Sequence, residues 1–129
     1  MITQGILNPH LLSLLARVRH TNTLVVADRG FPFWPMIETV DLSLVDGVPT
    51  VLQVLAAVRK NFVVGEVFMA EEFLHVNGTE ARSAFASALQ GANVGYEPHD
   101  EFKRRVPHAI GLVRSGDTVQ YANMILVSA

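Results

Sequence analysis

Apolar residues recur along this chain with two different periods, and the change of period separates predicted helices from predicted strands. Residues 24–27 form a short run of leucine, valine and alanine between polar neighbours, as in a strand buried on both faces. Asn8 and Pro9 suit a helix start, because asparagine can cap free amides and proline fits the first helical position. This helix has one apolar stripe, at Leu11, Leu14, Leu15 and Val18, and we expect His20 to close it.

The rest of the chain continues this alternation. Two more helices are predicted from the stripes Val51, Val54, Leu55, Val58 (beginning at Pro49) and Ala81, Ala84, Phe85, Ala88 (beginning at 77–79), and a short one over 99–106. Strands are predicted over 39–44, 62–69, 94–98, 109–113 and 124–127. The pattern favours the α/β class, as a three-layer helix/sheet/helix sandwich with a mixed, mostly parallel sheet. Only a turn at 115–117 separates the last two strands, which predicts that they form an antiparallel pair.

Length and composition favour one self-associating domain. The 129 residues suffice for a single core, so we expect one domain over 1–129. Half of the residues are hydrophobic and 17% are charged, an apolar balance that homo-oligomerisation would explain in so small a chain. A net charge of −2 gives no reason to expect nucleic acid or an anionic membrane as a partner. The absence of cysteine excludes thiolate chemistry and fits the cytoplasm, and no apolar run approaches the roughly 20 residues that span a bilayer.

Two titratable residues lie at the ends of the segment around the first strand. His20 follows the first helix, and Asp28 follows the strand, where open α/β sheets bind ligands. If the two converge, the histidine can transfer a proton near neutrality while the carboxylate orients it or holds a hydroxyl. A surface histidine and an unrelated loop aspartate are the alternative. We expect the next segment, residues 29–35, to wall a pocket, because one glycine and two prolines prevent regular structure there.

Several other motifs favour structural roles. Residues 72–75 have the Glu-x-x-His spacing of di-metal bundle sites, but those sites need two copies, so we expect no metal. Glu71 and Glu72 are interpreted as the solvated end of a strand. The segment 91–95 lacks the strand-to-helix context of a phosphate loop, and the basic run 103–105 suits a helix end. Residues 121–123, Tyr-Ala-Asn, combine a flat ring with hydroxyl and amide groups, which suits a polyhydroxylated ligand or an ordinary turn.

Six stretches, in order along nearly the whole chain, carry a family pattern. They are Arg19-His20-Thr21-Asn22-Thr23-Leu24-Val25-Val26-Ala27-Asp28, Asp46-Gly47-Val48-Pro49 with Leu52-Gln53-Val54-Leu55, Ala70-Glu71-Glu72, His99-Asp100-Glu101-Phe102-Lys103, Arg114-Ser115-Gly116 and Tyr121-Ala122-Asn123-Met124-Ile125-Leu126. Together these stretches resemble the ribose pyranase and fucose mutarotase family. The resemblance is to the ribose branch, since the fucose branch has Tyr-Gly-Asn where this chain has alanine at position 122.

The resemblance implies a sugar mutarotase-like domain over 1–129 and an isomerase that needs no cofactor. Such an enzyme interconverts cyclic forms of an aldose such as D-ribose, and the family forms cytoplasmic, ring-like homo-oligomers, commonly decamers. By the matching stretches, His20 would be the proton donor, and the substrate contacts would be Asp28, His99, Tyr121, Ala122 and Asn123. An L-fucose-type mutarotase and a non-catalytic sugar-binding or transport-accessory subunit are the alternatives.

The chain departs from the family pattern around the predicted pocket. Arg29 replaces a small residue, and Phe31, Phe33 and Trp34 make the following loop bulkier. The segment before Tyr96 is shorter than in the ribose branch. These differences bear on which sugar is bound more than on the chemistry.

Overall fold

The apolar runs form the strands of one sheet in a computed structural model that describes residues 1–129. The strands are β1 (Thr23–Ala27), β2 (Thr39–Asp41), β3 (Val64–Ala70), β4 (Asn93–Glu97), β5 (Gly111–Arg114) and β6 (Met124–Ser128). The helices are α1 (Pro9–Ala16), α2 (Val51–Arg59), α3 (Glu72–Val76), α4 (Thr79–Ala88) and α5 (His99–Arg105), with a 3₁₀ turn over Val106–His108. The predicted α/β class is confirmed, and α3 is the one helix that the sequence pattern missed.

The six strands follow the order β2-β5-β1-β6-β3-β4. Five of them are parallel, and β6 is antiparallel to both of its neighbours, β1 and β3. The mixed, mostly parallel sheet is therefore confirmed, but the predicted pairing of the last two strands is wrong. Residues 115–123 separate β5 from β6, and this connection is long enough to carry the chain past β1 to its other side.

The ends of the first two helices follow from local side-chain contacts. The Asn8 side chain accepts a hydrogen bond from the Leu11 amide, so α1 begins as predicted. It ends at Ala16, with Arg17 as its C-cap, rather than at His20. Further along, the Asn22 side chain accepts from the Arg19 amide and Thr21 has a left-handed backbone (φ 69°), so residues 19–22 form a turn. Helix α2 begins after Thr50, which forms a capping box with Gln53, rather than at Pro49.

Helices cover both faces of the sheet, but unequally. The larger core cluster, of 20 buried residues, joins one sheet face to α1, α2 and α4. The smaller, of 8 residues, joins the other face to α5 and to the loop between β1 and β2. This gives the predicted three layers. The apolar stripe of α2 is fully buried, whereas in α4 only Phe85 of the predicted stripe is buried and Ala84 is exposed.

Gly116 lies where the end of β5 meets the turn before α2. A Cβ there would lie 2.5 Å from the carbonyl oxygen of Val45 and 2.6 Å from that of Val48. Since backbone atoms cannot rotate away, we expect Gly116→Ala to lower the free energy of unfolding by about 1–3 kcal/mol, measured by urea denaturation. Gly95→Ala is the control, because its Cβ would lie 3.5 Å from Phe68, an ordinary contact. Equal losses in both variants would contradict this steric account.

Candidate functional site

A cavity of about 330 Å³ opens at the carboxyl end of β1. Its walls come from the β1–β2 loop, the first residue of α5 and the segment before β6. The lining residues are Asp28, Gly30, Phe31, Pro32, His99, Gln120, Tyr121 and Asn123. Four of the predicted site residues, Asp28, His99, Tyr121 and Asn123, therefore meet here although they are distant in sequence. Ala122, also predicted, is buried in the larger core cluster and does not line this cavity.

Asp28 is held by both neighbouring segments. Its carboxylate accepts a hydrogen bond from the Gly30 amide (2.9 Å), and its own amide donates to the side-chain oxygen of Asn123 (2.7 Å). Burial is the largest influence on the pKa of the Asp28 carboxyl and raises it above the ordinary value. Hydrogen bonds from Gly30 and Asn123 oppose this rise without cancelling it. The site therefore contains a carboxyl group that takes up a proton more readily than an exposed aspartate.

His99 begins α5 and is surrounded by aromatic rings. The Tyr121 ring meets it edge-on, with centroids 5.0 Å apart, and the rings of Phe31 and Phe102 lie at 6.4 and 6.0 Å. Its Nε2 atom is buried and has no hydrogen-bond partner. Because a buried polar atom without a partner costs free energy, its presence beside a cavity is typical of a functional site.

Glu72 fixes the main chain of His99. Both of its carboxylate oxygens accept from the His99 amide, at 3.0 and 3.1 Å. The interpretation of Glu72 as the solvated end of a strand is thus wrong, since the residue is half-buried in α3 and binds another helix. Sequence reasoning missed this role because the pattern did not predict α3. The sequence held one clue to this role. The residue before α5 is proline, which provides no side-chain cap, and a glutamate from elsewhere can take that place.

Tyr121 has a left-handed backbone, with φ at 55°. This conformation costs a non-glycine residue about 1–3 kcal/mol and persists only where the surroundings enforce it. Tyr121 is half-buried between Gln120 and the buried Ala122, and its ring packs against His99. This backbone conformation thus holds the tyrosine ring at the wall of the cavity.

His20 lies near the amino end of β1, opposite the end that Asp28 follows. It is exposed, its Nδ1 is 2.5 Å from the main-chain oxygen of Ala129, and with Phe62 and Val63 it lines a separate cavity of about 310 Å³. Strand β1 separates it from Asp28, and five residues of strand span about 16 Å. The convergence of His20 and Asp28 that the sequence left open therefore does not occur within a single chain. The main-chain oxygen can only accept, so Nδ1 donates to it.

The loop after Asp28 walls two cavities. Phe31 and Pro32 line the smaller one as predicted, while Trp34 stacks behind Phe31 at 6.5 Å and Phe33 is exposed. A neighbouring cavity of about 430 Å³ shares Asp28, Gly30 and Gln120 with it. Arg29 lines this larger cavity and forms an ion pair with Asp46 (3.1 Å), which lines it too.

The site combines groups that bind hydroxyls and move protons. A carboxyl, an imidazole, a phenol and an amide surround a cavity of a size that suits a small polar ligand. No group of three or more histidine, aspartate or glutamate side chains is arranged to hold a metal ion. None of the helices is long and apolar enough to cross a membrane.

Comparison with known proteins places this arrangement among sugar-acting proteins. The sequence model of the RbsD / FucU transport protein family matches residues 1–129. A D-ribose pyranase of an Exiguobacterium species is 40% identical over 126 residues, which cover 98% of this chain and 95% of that protein. The D-ribose pyranase of Bacillus cytotoxicus is 35% identical over the same shares of both chains. The structure of Bacillus subtilis RbsD complexed with D-ribose superimposes with a TM-score of 0.90 at 32% identity, covering 100% of this chain and 98% of that one.

Proposed function

The chain belongs to the RbsD / FucU transport protein family, and from this membership we propose that it is a monosaccharide mutarotase acting on an aldose such as D-ribose. It is an isomerase that interconverts cyclic forms of the sugar, pyranose with furanose or one anomer with the other. The observation that carries the proposal is the meeting of Asp28, His99, Tyr121 and Asn123 around one small cavity in a chain of this family.

The reaction makes modest chemical demands. Opening a cyclic hemiacetal requires one proton delivered to the ring oxygen and one removed from the anomeric hydroxyl. A positioned acid and base contribute about 10²- to 10⁴-fold. Closure through a different hydroxyl exchanges ring sizes, and closure on the other face of the carbonyl exchanges anomers.

The residues of the site divide these tasks. We assign His20 as the proton donor to the ring oxygen, and Asp28, His99, Tyr121, Ala122 and Asn123 as sugar contacts. Asp28 accepts from sugar hydroxyls, Asn123 and the main chain of Ala122 offer further hydrogen bonds, and the Tyr121 ring packs against the sugar. With His99 Nε2 lacking a partner in the protein, a sugar hydroxyl is the group that satisfies it.

The position of His20 requires a second copy of the chain. Because β1, a strand about 16 Å long, lies between it and Asp28, it can reach a sugar beside Asp28 only from a neighbouring subunit. Exposed apolar side chains lie near both ends of β1. Leu44 and Val45 line the larger cavity beside Asp28, and Val63 lines the cavity beside His20. Two different surfaces that meet form a heterologous contact, which gives a ring when the rotation from one subunit to the next closes and a filament when it does not. We therefore propose a homo-oligomer and, from the family resemblance, a cytoplasmic, ring-like decamer whose subunits are single domains over 1–129.

Exchange NMR tests the proposal directly. Saturation transfer between the ring forms of ribose should increase when the protein is added, and fucose and other aldoses give the specificity. No acceleration with any common aldose would refute the mutarotase. Binding of an aldose without exchange would instead identify a sugar-binding or transport-accessory subunit, and faster exchange with fucose than with ribose would identify an L-fucose-type enzyme.

His99→Ala should weaken ribose binding by about tenfold, which corresponds to roughly 1.4 kcal/mol. The substitution removes a sugar contact and one wall of the cavity but leaves the proton donor in place. Titration of the protein with ribose measures Kd, and saturation transfer at saturating sugar measures the bound rate. His75→Ala is the matched control, because His75 is exposed on α3 and outside the site. Normal binding with slow turnover in His99→Ala would transfer the proton-donor role to His99.

A further inference from the structure

Arg114 is a largely buried cation that the assignments above leave unused. It ends β5, in register with Ala27 of β1 on one side and Asp41 of β2 on the other. Its side chain is only 11% exposed. The guanidinium therefore lies at the carboxyl ends of three adjacent strands, under the loop that begins with Asp28.

The guanidinium binds the main chain of that loop. Its Nη1 donates to the carbonyl oxygens of Phe31 (2.6 Å), Asp28 (3.3 Å) and Arg29 (3.4 Å), and Nη2 donates to that of Pro32 (3.4 Å). A loop of one glycine and two prolines has little regular backbone pairing of its own. Converging carbonyls need several N–H donors in a fixed fork, which arginine has and lysine lacks.

The positive charge of Arg114 has only one long ion pair. Its Nε lies 3.9 Å from Asp41, whose side chain is 56% exposed and also binds Ser43. The loop carbonyls are therefore its main partners. Burial raises the pKa of Asp28, and the charge of Arg114 is one of the influences that oppose this rise.

We propose that Arg114 is a positioning residue of the sugar site, which holds the β1–β2 loop so that Asp28 and Phe31 keep their places in the cavity wall. The loop it holds supplies the Gly30 amide that binds the Asp28 carboxylate, and the Phe31 ring that packs beside His99. The effect of Arg114 on turnover rests on the proposed mutarotase function, whereas the effect of Arg114 on the loop does not.

Arg114→Lys keeps the charge and removes the fork, and hydrogen exchange followed by NMR reports on the loop. The Gly30 amide should exchange about tenfold faster in this variant, and the Kd for ribose should rise about tenfold. Arg59→Lys is the matched control, because Arg59 also donates to two main-chain carbonyls, those of Ala88 at the end of α4 and of Gln90 just after it, outside the site. Unchanged exchange at Gly30 in Arg114→Lys, or an equal change in Arg59→Lys, overturns the proposal.

A double-mutant cycle separates positioning from general stability. If Arg114 acts through Asp28, adding Arg114→Lys to Asp28→Asn should raise Kd by clearly less than the tenfold expected in the native background. Equal effects in both backgrounds would contradict the proposal. Asp41→Asn, an exposed change that leaves the fork in place, should leave the exchange of the Gly30 amide as in the wild type, and faster exchange there would also contradict the proposal. If the wild-type protein accelerates no aldose, the mutarotase proposal fails, and the Gly30 exchange still decides the role of Arg114.

Discussion

His20→Ala is expected to lower the exchange rate of a bound aldose by about 10²-fold or more, with little change in sugar affinity. A proton donor acts mainly in the transition state, so its loss affects the rate more than binding. Saturation transfer at saturating ribose measures the rate, and ribose titration measures Kd. His10→Ala, an exposed histidine on α1, is the control and should behave as the wild type. Full exchange activity in His20→Ala would refute the assignment.

The placement of His20 also allows a test by subunit mixing. When His20→Ala and Asp28→Asn chains are co-expressed, a site built from two subunits combines an intact Asp28 with an intact neighbouring His20 in about a quarter of cases. Activity should then return to about a quarter of the wild-type value. If every site used only its own chain, no mixture would recover activity, and the shared site would be wrong.

Asp28→Asn is the second change with a large expected effect, a loss of both affinity and rate by about tenfold or more each. Asparagine keeps the size and an acceptor for the Gly30 amide but removes the charge that holds the sugar hydroxyls. Ribose titration and saturation transfer measure the two losses separately. A loss of rate alone would indicate that Asp28 orients the proton donor instead of binding sugar.

The pH dependence adds an independent check on Asp28. Burial raises the pKa of its carboxyl, so the charged form is lost on acidification at a pH above the ordinary 3.8. If the charge binds sugar, kcat/KM should fall through that range, and Asp28→Asn should lack this decline.

A raised pKa of Asp28 in the folded state also means that the carboxyl's contribution to stability is present below its unfolded pKa and lost as pH rises through the folded value. Asp28→Asn should therefore keep its neutral-pH stability, measured by urea denaturation, which distinguishes a site defect from unfolding.

The sequence predicted most helices and strands because their apolar spacing reflects burial directly. The stripes of α1 and α2 and the run in β1 all belong to the core. The strand order was not predictable in the same way, since spacing shows which face is buried but not which strand lies alongside. Helix α3 has only Phe73 fully buried and is too short for a period to show.

Four of the predicted site residues line one cavity, but the sequence did not show how they come together. Asp28 and Asn123 meet because β6 lies beside β1, an arrangement that short-range pattern cannot reveal. The sequence left open whether His20 converges with Asp28, and in the structure the two adjoin opposite ends of β1. The roles of Glu72 and Arg114 depend on contacts with main-chain atoms of other segments, and these contacts leave no trace in residue spacing.

The central place of β6 determines how late in its synthesis this protein can assemble. Strand β6 joins β1 to β3, and its register pairs Val25 with Ile125, so the two halves of the sheet meet only after all other strands have left the ribosome. Until then, β1 and β3 each present an unpaired edge to other nascent chains. Ribosomes that stall upstream of Met124 would thus release polypeptides with two open edges, substrates for chaperones or for aggregation.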